Sequence, residues 1–272
     1  MDRLQESPVP LPLPRVAAAL PAQQPVYPLE LPLAEAWLRH GAPTALLSYN
    51  RQRGTIPETR QQILELADDY WHPARTPRAG LAPLEGQGFT FDWIEDAGEW
   101  SAQRMVGYPV VLLAKSNDVS AADRTRWVTP EVEEAFRASV SAGGGLLAIH
   151  SGTTGYRETP TLRRLLGGVF IQHPPQCAVT IAPTAGHPLA VGVEPFTIKD
   201  EHYYMEMEPG EAAPLLTTTS EHGVQPGGWT RTEGAGRVCV LTPGHNVEVW
   251  LHPAYQKLIG NALRWCGEEV NG

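Results

Sequence analysis

The chain has 272 residues, 42% of them hydrophobic, which is enough for one large α/β domain or two small ones. Its formal net charge is −9 and it has no cluster of lysine and arginine, so we expect no binding to nucleic acid or to an anionic membrane surface. The three cysteines, Cys177, Cys239 and Cys266, are far apart in the sequence, which argues against a disulfide framework or a cysteine zinc site and is typical of a cytoplasmic protein. We identify no membrane-spanning run and no signal peptide.

The N-terminal region is rich in proline, with eight prolines between Pro8 and Pro32. Proline excludes a regular helix or a central strand, so residues 1–42 are predicted to form an extended arm with one short helix near 33–40. Apolar side chains in the arm predict that it packs on the body or on a partner subunit of a homo-oligomer. Residues 43–272 are predicted to form a single domain.

The body is predicted to begin with alternating strands and helices. Apolar runs predict strands at 44–49, 89–94, 110–114 and 146–149, and helical spacing predicts helices over 57–70 and from 130 to about 142. Thr129 is a suitable N-cap for the second helix, with Pro130 in its first turn. This order is typical of a doubly wound, mostly parallel sheet of the α/β class. After Gly168 the pattern predicts additional short strands at 177–182, 214–219 and 237–242, then an amphipathic helix over 253–265.

The most informative stretch is Gly143–Gly152, where a short apolar run ends in His150 and Ser151. Open α/β sheets bind ligands at the carboxyl ends of their strands, so His150 is predicted to lie at the floor of a pocket. The stretch is similar to a strand-to-helix nucleophile elbow, but with histidine in place of the nucleophile. The following turn contains Thr153, and Tyr156 comes soon after it. The hydroxyl groups of Ser151, Thr153 and Tyr156 and the backbone N–H groups of the turn suit the binding of a sugar hydroxyl or an anion.

Further polar residues follow other predicted strands. Asp200 and Glu201 come after the apolar triplet 196–198, and such adjacent carboxylates suit general acid catalysis, metal binding or a solvated turn. Strand alternation places Asp200 and His202 on one face of the strand and Glu201 and Tyr203 on the other. His245 follows the strand that ends at Leu241. Glu201 and Tyr203 are predicted to bind substrate. The remaining candidates for substrate binding are His173, which precedes a proline, and Trp229 and Arg231, of which Trp229 is equally suited to the core.

We expect these strand ends to converge. His150, Asp200 and His245 are predicted to act together as catalytic residues in one pocket. Several histidine and carboxylate groups could converge there on one divalent metal such as zinc, for which the same three residues are the predicted ligands. No individual spacing matches an established metal, phosphate or dinucleotide motif.

With these motifs assembled, the chain resembles the ThuA-like, trehalose-utilisation family of the class I glutamine amidotransferase-like superfamily. The matching pieces are GGGLLAIHSGTTGY, LRRLLGGVFIQHP, HPLAVGV, DEHYY, GWTRTEGAGRVCVLTPGHN and NALRW, which extend from about Thr44 to Cys266. The resemblance implies a flavodoxin-like fold. It aligns His150 with the nucleophilic cysteine of amidotransferases, which argues against glutaminase chemistry because imidazole does not readily replace a thiolate.

The same resemblance implies carbohydrate metabolism. The expected function is that of an enzyme acting on a sugar, a 3-keto-sugar or a glycoside, by elimination, isomerisation or hydrolysis. The expected reaction uses general acid/base or metal-assisted catalysis. A sugar dehydrogenase is the expected pathway partner. Two alternatives stay open: a non-catalytic small-molecule-binding or regulatory protein, and a hydrolase that uses Ser151 as nucleophile with His245 as its base.

Overall fold

The computed structural model describes residues 60–210 and 212–268. The N-terminal arm and the strand predicted at 44–49 lie outside the described residues. The strands are β1 (Gln61–Leu66), β2 (Phe89–Ile94), β3 (Val110–Leu113), β4 (Gly145–Ile149), β5 (Gly168–Gln172), β6 (Cys177–Pro183), β7 (Phe196–Asp200), β8 (Tyr204–Met207), β9 (Ala213–Ser220), β10 (Gly223–Glu233) and β11 (Gly236–Leu241). The helices are α1 (Arg75–Glu85), α2 (Ala102–Met105), α3 (Pro130–Ser141), α4 (Pro160–Leu166), α5 (Val247–Leu251) and α6 (Pro253–Cys266).

One large sheet organises the described residues. Its nine strands have the order β2-β1-β3-β4-β11-β10-β9-β6-β7, and β5 and β8 form a separate antiparallel pair. The five strands from β2 to β11 are parallel, whereas β10, β9, β6 and β7 pair antiparallel. The α/β class and the parallel arrangement of the first strands are therefore confirmed. The short strands predicted at 177–182, 214–219 and 237–242 all belong to the large sheet.

Two hydrophobic clusters cover opposite faces of the parallel strands. In β4, Leu147 and Ile149 belong to the cluster that includes α6, and Leu146 and Ala148 belong to the cluster that includes α3. Because both faces of β4 are buried, its sequence does not alternate between apolar and polar residues but is continuously apolar. The prediction that this run is a central strand is confirmed.

The helix predicted over 57–70 is wrong for the described part of that range, where residues 61–66 form β1. Ile63 and Leu64 point to opposite clusters and are fully buried, because β1 lies between β2 and β3. A short apolar run bounded by polar residues fits a helix face and a doubly covered strand equally well. Only the neighbouring strands decide between them.

Other predicted elements are confirmed within one or two residues. Helix α3 begins as predicted, with the Thr129 hydroxyl accepting a hydrogen bond from the backbone N–H of Val132 at 3.4 Å. The predicted strands near 89, 110, 177, 214 and 237 and the C-terminal helix are all present. The elements that were not predicted are helices α1, α2, α4 and α5 and strands β5, β8 and β10. None of the helices in the described residues has the length and apolar character needed to cross a membrane.

Lys115, just beyond β3, ties the ends of neighbouring strands together. Its fully buried ammonium donates hydrogen bonds to the backbone carbonyls of Ala67 at 3.2 Å, Glu95 at 3.0 Å and Asp68. These carbonyls lie just past the carboxyl ends of β1 and β2, where the backbone leaves the sheet ladder. Lys115 therefore holds the loops that begin at this edge of the sheet.

Candidate metal and catalytic site

The turn after β4 places His150 at the carboxyl edge of the sheet. His150 has a positive φ of 48° and begins a short 3-10 turn that extends to Thr153. Gly152 is required in this turn, because a Cβ atom there would lie 1.9 Å from the carbonyl oxygen of Leu113. The Thr153 hydroxyl closes the turn by donating to the His150 carbonyl at 2.8 Å. The close approach at Gly152 and the Thr153 hydrogen bond thus fix the backbone that carries His150.

Four side chains converge in front of this turn: His72, His150, Glu201 and His245. Each offers one nitrogen or oxygen atom, and these atoms all lie within 4.8 Å of one another. Glu201 is central, with its Oε2 atom 3.4 Å from His150 Nε2 and 3.2 Å from His245 Nδ1. Both nitrogens are buried and neither makes a hydrogen bond of acceptable geometry. The structure thus brings His150 and His245 together, and the carboxylate between them belongs to Glu201.

His72 is oriented by a carboxylate behind it. Its Nδ1 atom lies 2.8 Å from Asp69 Oδ1, so Nε2 is left to face the cluster. Asp69 Oδ1 also accepts hydrogen bonds from the backbone N–H groups of Trp71, at 2.9 Å, and His72. Asp69 Oδ2 accepts one from the backbone N–H of Ser116 at 2.9 Å. Burial would raise the pKa of Asp69, but the hydrogen bonds and charge of His72 together with the backbone donors lower it. Asp69 is thus an ionised carboxylate that positions the ring.

Asp200 supports the site from behind rather than facing it, which corrects its prediction as a metal ligand. Its fully buried carboxylate accepts backbone hydrogen bonds from Gly244 at 2.8 Å, His245 at 3.0 Å and Asn246 at 3.3 Å. Burial raises its pKa to about 6, and the backbone donors oppose the increase. Asp200 therefore fixes the loop that carries His245. Of the adjacent acidic pair, only Glu201 reaches the cluster.

Tyr203 forms one wall of the site. Its ring stacks on His150 with a centroid distance of 4.0 Å and packs against Phe170 at 4.1 Å. Its hydroxyl oxygen lies 3.4 Å from His72 Nε2. Burial, followed by the charge of Glu201, raises the pKa of Tyr203 well above its usual value, so the hydroxyl keeps its proton. Strand alternation had placed Glu201 and Tyr203 on one face, and both contact His150.

His173 lies on the open side of Glu201. Its Nε2 atom is 3.5 Å from Glu201 Oε1, and 34% of its side chain is exposed. Its Nδ1 atom lies 2.7 Å from the carbonyl oxygen of Pro174, which assigns the Nδ1 hydrogen to that bond and leaves Nε2 directed at Glu201. His173 is thus the histidine of this group with the most contact with solvent.

Other predicted site residues have structural partners instead. Tyr156 is fully buried and donates to the carbonyl of Lys115, and Trp229 Nε1 donates to the carbonyl of Leu166 at 2.7 Å, so both are core residues. Arg231 donates to the carbonyl of Arg164 and contacts Glu233. Ser151 and Thr153 are buried within the turn that carries His150. These placements count against substrate binding by Tyr156 and Trp229. Substrate binding by Arg231, Ser151 and Thr153 stays a prediction.

His72 was missed by the sequence analysis. It follows β1 by six residues, and that strand was predicted as a helix, so the strand-end argument was never applied to it. With β1 assigned correctly, the polar stretch Asp68–Asp69 followed by His72–Pro73 would have shown the same signal that identified His150.

The charges of the cluster are coupled. Burial lowers the pKa of His150 to about 4. Burial would raise the pKa of Glu201, but its contacts with His150 and His245 hold it well below its usual range. The contact with Glu201 raises the pKa of His245 against the effect of burial. In metal-free protein the cluster is thus an ionised carboxylate beside a neutral His150.

The neutral state of His150 predicts a pH-dependent stability in protein treated with chelator. Its pKa is about 4 when folded and about 6.5 when unfolded, so the unfolded chain binds more protons between these values. The contribution is fully present above pH 6.5 and is lost as the pH falls to about 4, by roughly 3 kcal/mol at 1.36 kcal/mol per pKa unit. Urea unfolding measured between pH 7 and pH 4 should show that, as the pH falls, the free energy of unfolding of wild type decreases by this amount more than that of His150→Gln. The exposed-site variant His222→Gln serves as control, and parallel pH profiles for wild type and His150→Gln would contradict the assignment.

Comparison with known proteins agrees with this architecture. The sequence profile of a family described as trehalose utilisation, ThuA, matches residues 47–266, which include all four residues of the cluster. A search of curated proteins finds no match. Among solved structures, a ThuA-like protein of Parabacteroides merdae is 17% identical, with a TM-score of 0.62 over 76% of this chain and 90% of that one. A ThuA-like protein of Bacteroides uniformis is 18% identical, with a TM-score of 0.63 over 79% and 94%.

The fold also occurs inside larger enzymes. A cold-adapted β-galactosidase of Rahnella is 19% identical, with a TM-score of 0.54 over 75% of this chain but only 31% of its own. At this identity the likeness concerns the fold alone.

Proposed function

This chain belongs to the trehalose-utilisation, ThuA family, and we propose that it is a metal-dependent enzyme acting on a sugar, 3-keto-sugar or glycoside. The observation that carries the proposal is the convergence of His72, His150, Glu201 and His245, with two buried nitrogens that lack hydrogen-bond partners. Buried polar atoms without partners are costly, so such a cluster needs a ligand to satisfy it.

The donor set suits a divalent transition metal such as zinc. Imidazole nitrogen and carboxylate oxygen bind zinc at about 2.0–2.2 Å, which places tetrahedral ligand atoms roughly 3.3–3.6 Å apart. The separations of Glu201 Oε2 from the nitrogens of His150 and His245, 3.4 and 3.2 Å, are close to that spacing. His150 Nδ1 lies 2.8 Å from the carbonyl oxygen of Thr242, which leaves Nε2 unprotonated for an ion. We therefore propose His72, His150, Glu201 and His245 as the ligands.

The surrounding residues would orient the substrate and move protons. A divalent ion bound here would supply Lewis-acid polarisation of a sugar carbonyl or hydroxyl oxygen. The protonated Tyr203 hydroxyl, next to His72, is placed to donate a hydrogen bond to an oxygen that gains negative charge. His173 reaches both Glu201 and solvent, so it is suited to accept a proton from the substrate and release it to water. These roles favour proton removal beside a carbonyl, followed by elimination or isomerisation.

The geometry disfavours both glutaminase chemistry and the hydrolase that would use Ser151 as nucleophile. The elbow position is His150, whose Nε2 faces Glu201, and no described cysteine lies in the cluster. His245 contacts Glu201 rather than serving as base for Ser151, which is buried in its turn. Glutaminase activity is therefore not proposed. A cytoplasmic location and a sugar dehydrogenase as pathway partner stay predictions.

The test combines metal analysis with turnover. Protein purified without chelator should contain about one transition metal ion per chain and should convert 3-keto-trehalose or a 3-keto-glucoside. Chelation should abolish conversion, and adding back zinc or manganese should restore it. Sugar binding without turnover in the metal-loaded protein would favour the non-catalytic binding protein, and failure to bind either metal would overturn the proposal.

The carboxylate behind His72 gives a graded prediction. Asp69→Asn should weaken metal binding by about 10–100-fold, because residues that orient a ligand imidazole have effects of this size. Competition with a chromophoric chelator measures the change. The matched control is Asp92→Asn, which removes an exposed carboxylate on β2 that accepts a hydrogen bond from Tyr108 and is not part of the cluster. Equal metal affinity for Asp69→Asn and wild type would show that His72 is not a ligand.

A further inference from the structure

Two large aromatic side chains are exposed beside the proposed metal ligands. Tyr70 is 51% exposed and Trp71 is 61% exposed. In the described part of the chain they are the only aromatic residues among the exposed large hydrophobic side chains. They directly precede His72 in the sequence. Consecutive Cα atoms are about 3.8 Å apart, so the backbone that carries these rings leads directly into that of a proposed ligand. Exposed apolar surface beside a functional site commonly marks a ligand-binding surface.

The backbone under the two rings is firmly held. Asp69 Oδ1 accepts hydrogen bonds from the backbone N–H groups of Trp71 and His72, at 2.9 and 3.0 Å. The Tyr70 and Trp71 rings contact each other edge to face at 4.7 Å. The carboxylate that orients the His72 ring therefore also fixes Trp71. A rigid aromatic surface loses little conformational entropy when a ligand packs on it.

A cation lies against this aromatic pair. The guanidinium carbon of Arg124 is 4.7 Å from the centroid of the Tyr70 ring and 5.9 Å from that of Trp71. The loop that carries Arg124 is tied to the other by Asp68, whose Oδ2 accepts a hydrogen bond from the backbone N–H of Ala121 at 3.0 Å. Asp68 itself has a positive φ of 70°. The two loops thus bring the exposed Tyr70 and Trp71 rings and the guanidinium of Arg124 together.

We propose that Tyr70, Trp71 and Arg124 form a subsite for the second sugar ring of a disaccharide or glycoside, a role that rests on the proposed function of the neighbouring cluster. A pyranose ring has one face lined by C–H groups and a rim of hydroxyls. The aromatic rings bury the apolar face, and the guanidinium donates to hydroxyl oxygens. The reacting ring would then lie at His150 and Glu201, on the other side of His72, whose ring contacts that of His150.

The test measures binding without turnover. Chelator-treated protein is titrated with trehalose, maltose and cellobiose by calorimetry, with glucose as the single-ring comparison. Trp71→Ala should weaken binding of the preferred disaccharide about tenfold, whereas Trp71→Phe, which keeps an aromatic ring, should weaken it less than threefold. Val224→Ala, at a side chain 62% exposed on β10, is the matched control and should bind as wild type does.

The outcomes separate this subsite from the metal proposal. Disaccharide binding that depends on Trp71 supports the subsite even if metal-loaded protein shows no turnover. Equal affinity of wild type and Trp71→Ala for all three disaccharides, or no binding of any, overturns it whether or not the protein binds metal. Capture of a protein partner by Tyr70 and Trp71 without sugar binding overturns it as well. Thermal melting of each variant confirms that the exposed substitutions leave the fold intact.

Discussion

Replacing His150 with alanine should abolish turnover and weaken metal binding by more than about 100-fold. Changes behind a ligand already lower metal affinity or activity by 10–100-fold, and this change removes a ligand atom from the centre of the proposed site. The fold should survive, because the His150 side chain belongs to neither hydrophobic cluster and sits in the turn after β4. Chelator competition, steady-state kinetics on a 3-keto-glycoside and thermal melting measure the three quantities.

The control for this variant is His222→Ala. His222 is an exposed histidine in the β9–β10 turn that is not among the four residues of the cluster, and its loss should change neither metal affinity nor turnover. A His150→Ala protein that binds metal and turns over like wild type would contradict the site. A protein that keeps metal but loses turnover would place His150 in proton transfer rather than coordination.

Replacing Lys115 with methionine should lower the free energy of unfolding by about 3–5 kcal/mol. The change leaves three carbonyl oxygens without their donor in a buried place, and each unsatisfied buried group costs about 1–3 kcal/mol. Burial lowers the pKa of Lys115, and the nearby carboxylates, Asp69 first, oppose this effect. The native ammonium is therefore stabilised by these partners. Urea denaturation of metal-free protein measures the loss.

Lys257→Met is the matched control, since Lys257 is exposed on α6 and should contribute less than about 0.5 kcal/mol. Lys115→Met should also weaken metal binding, because Lys115 holds the loop that leads to Asp69 and His72. Unchanged stability in Lys115→Met would mean that water or another group satisfies the three carbonyls.

Local sequence patterns predicted the elements whose environment is encoded within a few residues. The N-cap Thr129 and first-turn Pro130 positioned α3, and the glycines after that helix preceded a run apolar enough to identify β4. The general property of parallel sheets, that ligands bind at the carboxyl ends of strands, then identified His150 and His245 without any contact information. These predictions needed only periodicity and turn chemistry.

The structure was needed where one sequence pattern is compatible with two different local structures or partners. The run at 61–66 fits either a helix face or a doubly covered strand, and only pairing with β2 and β3 selects the strand. His72 was lost with that element. Likewise, Asp200 and Glu201 are chemically similar neighbours, and the partner of each carboxylate depends on where residues 244–246 lie.

The sequence by itself determined the α/β class, the family and the strand ends at which polar chemistry gathers, because each follows from periodicity, turn residues and motif order within short segments. Only the tertiary structure decided which of those groups meet. It joined His72 to His150, Glu201 and His245, placed Asp200 behind a loop, and assigned Trp229 and Tyr156 to the core. The physical reason is that the ligand set and the partner of a buried polar group depend on distances between residues up to 173 positions apart, as from His72 to His245, which short-range sequence patterns do not encode.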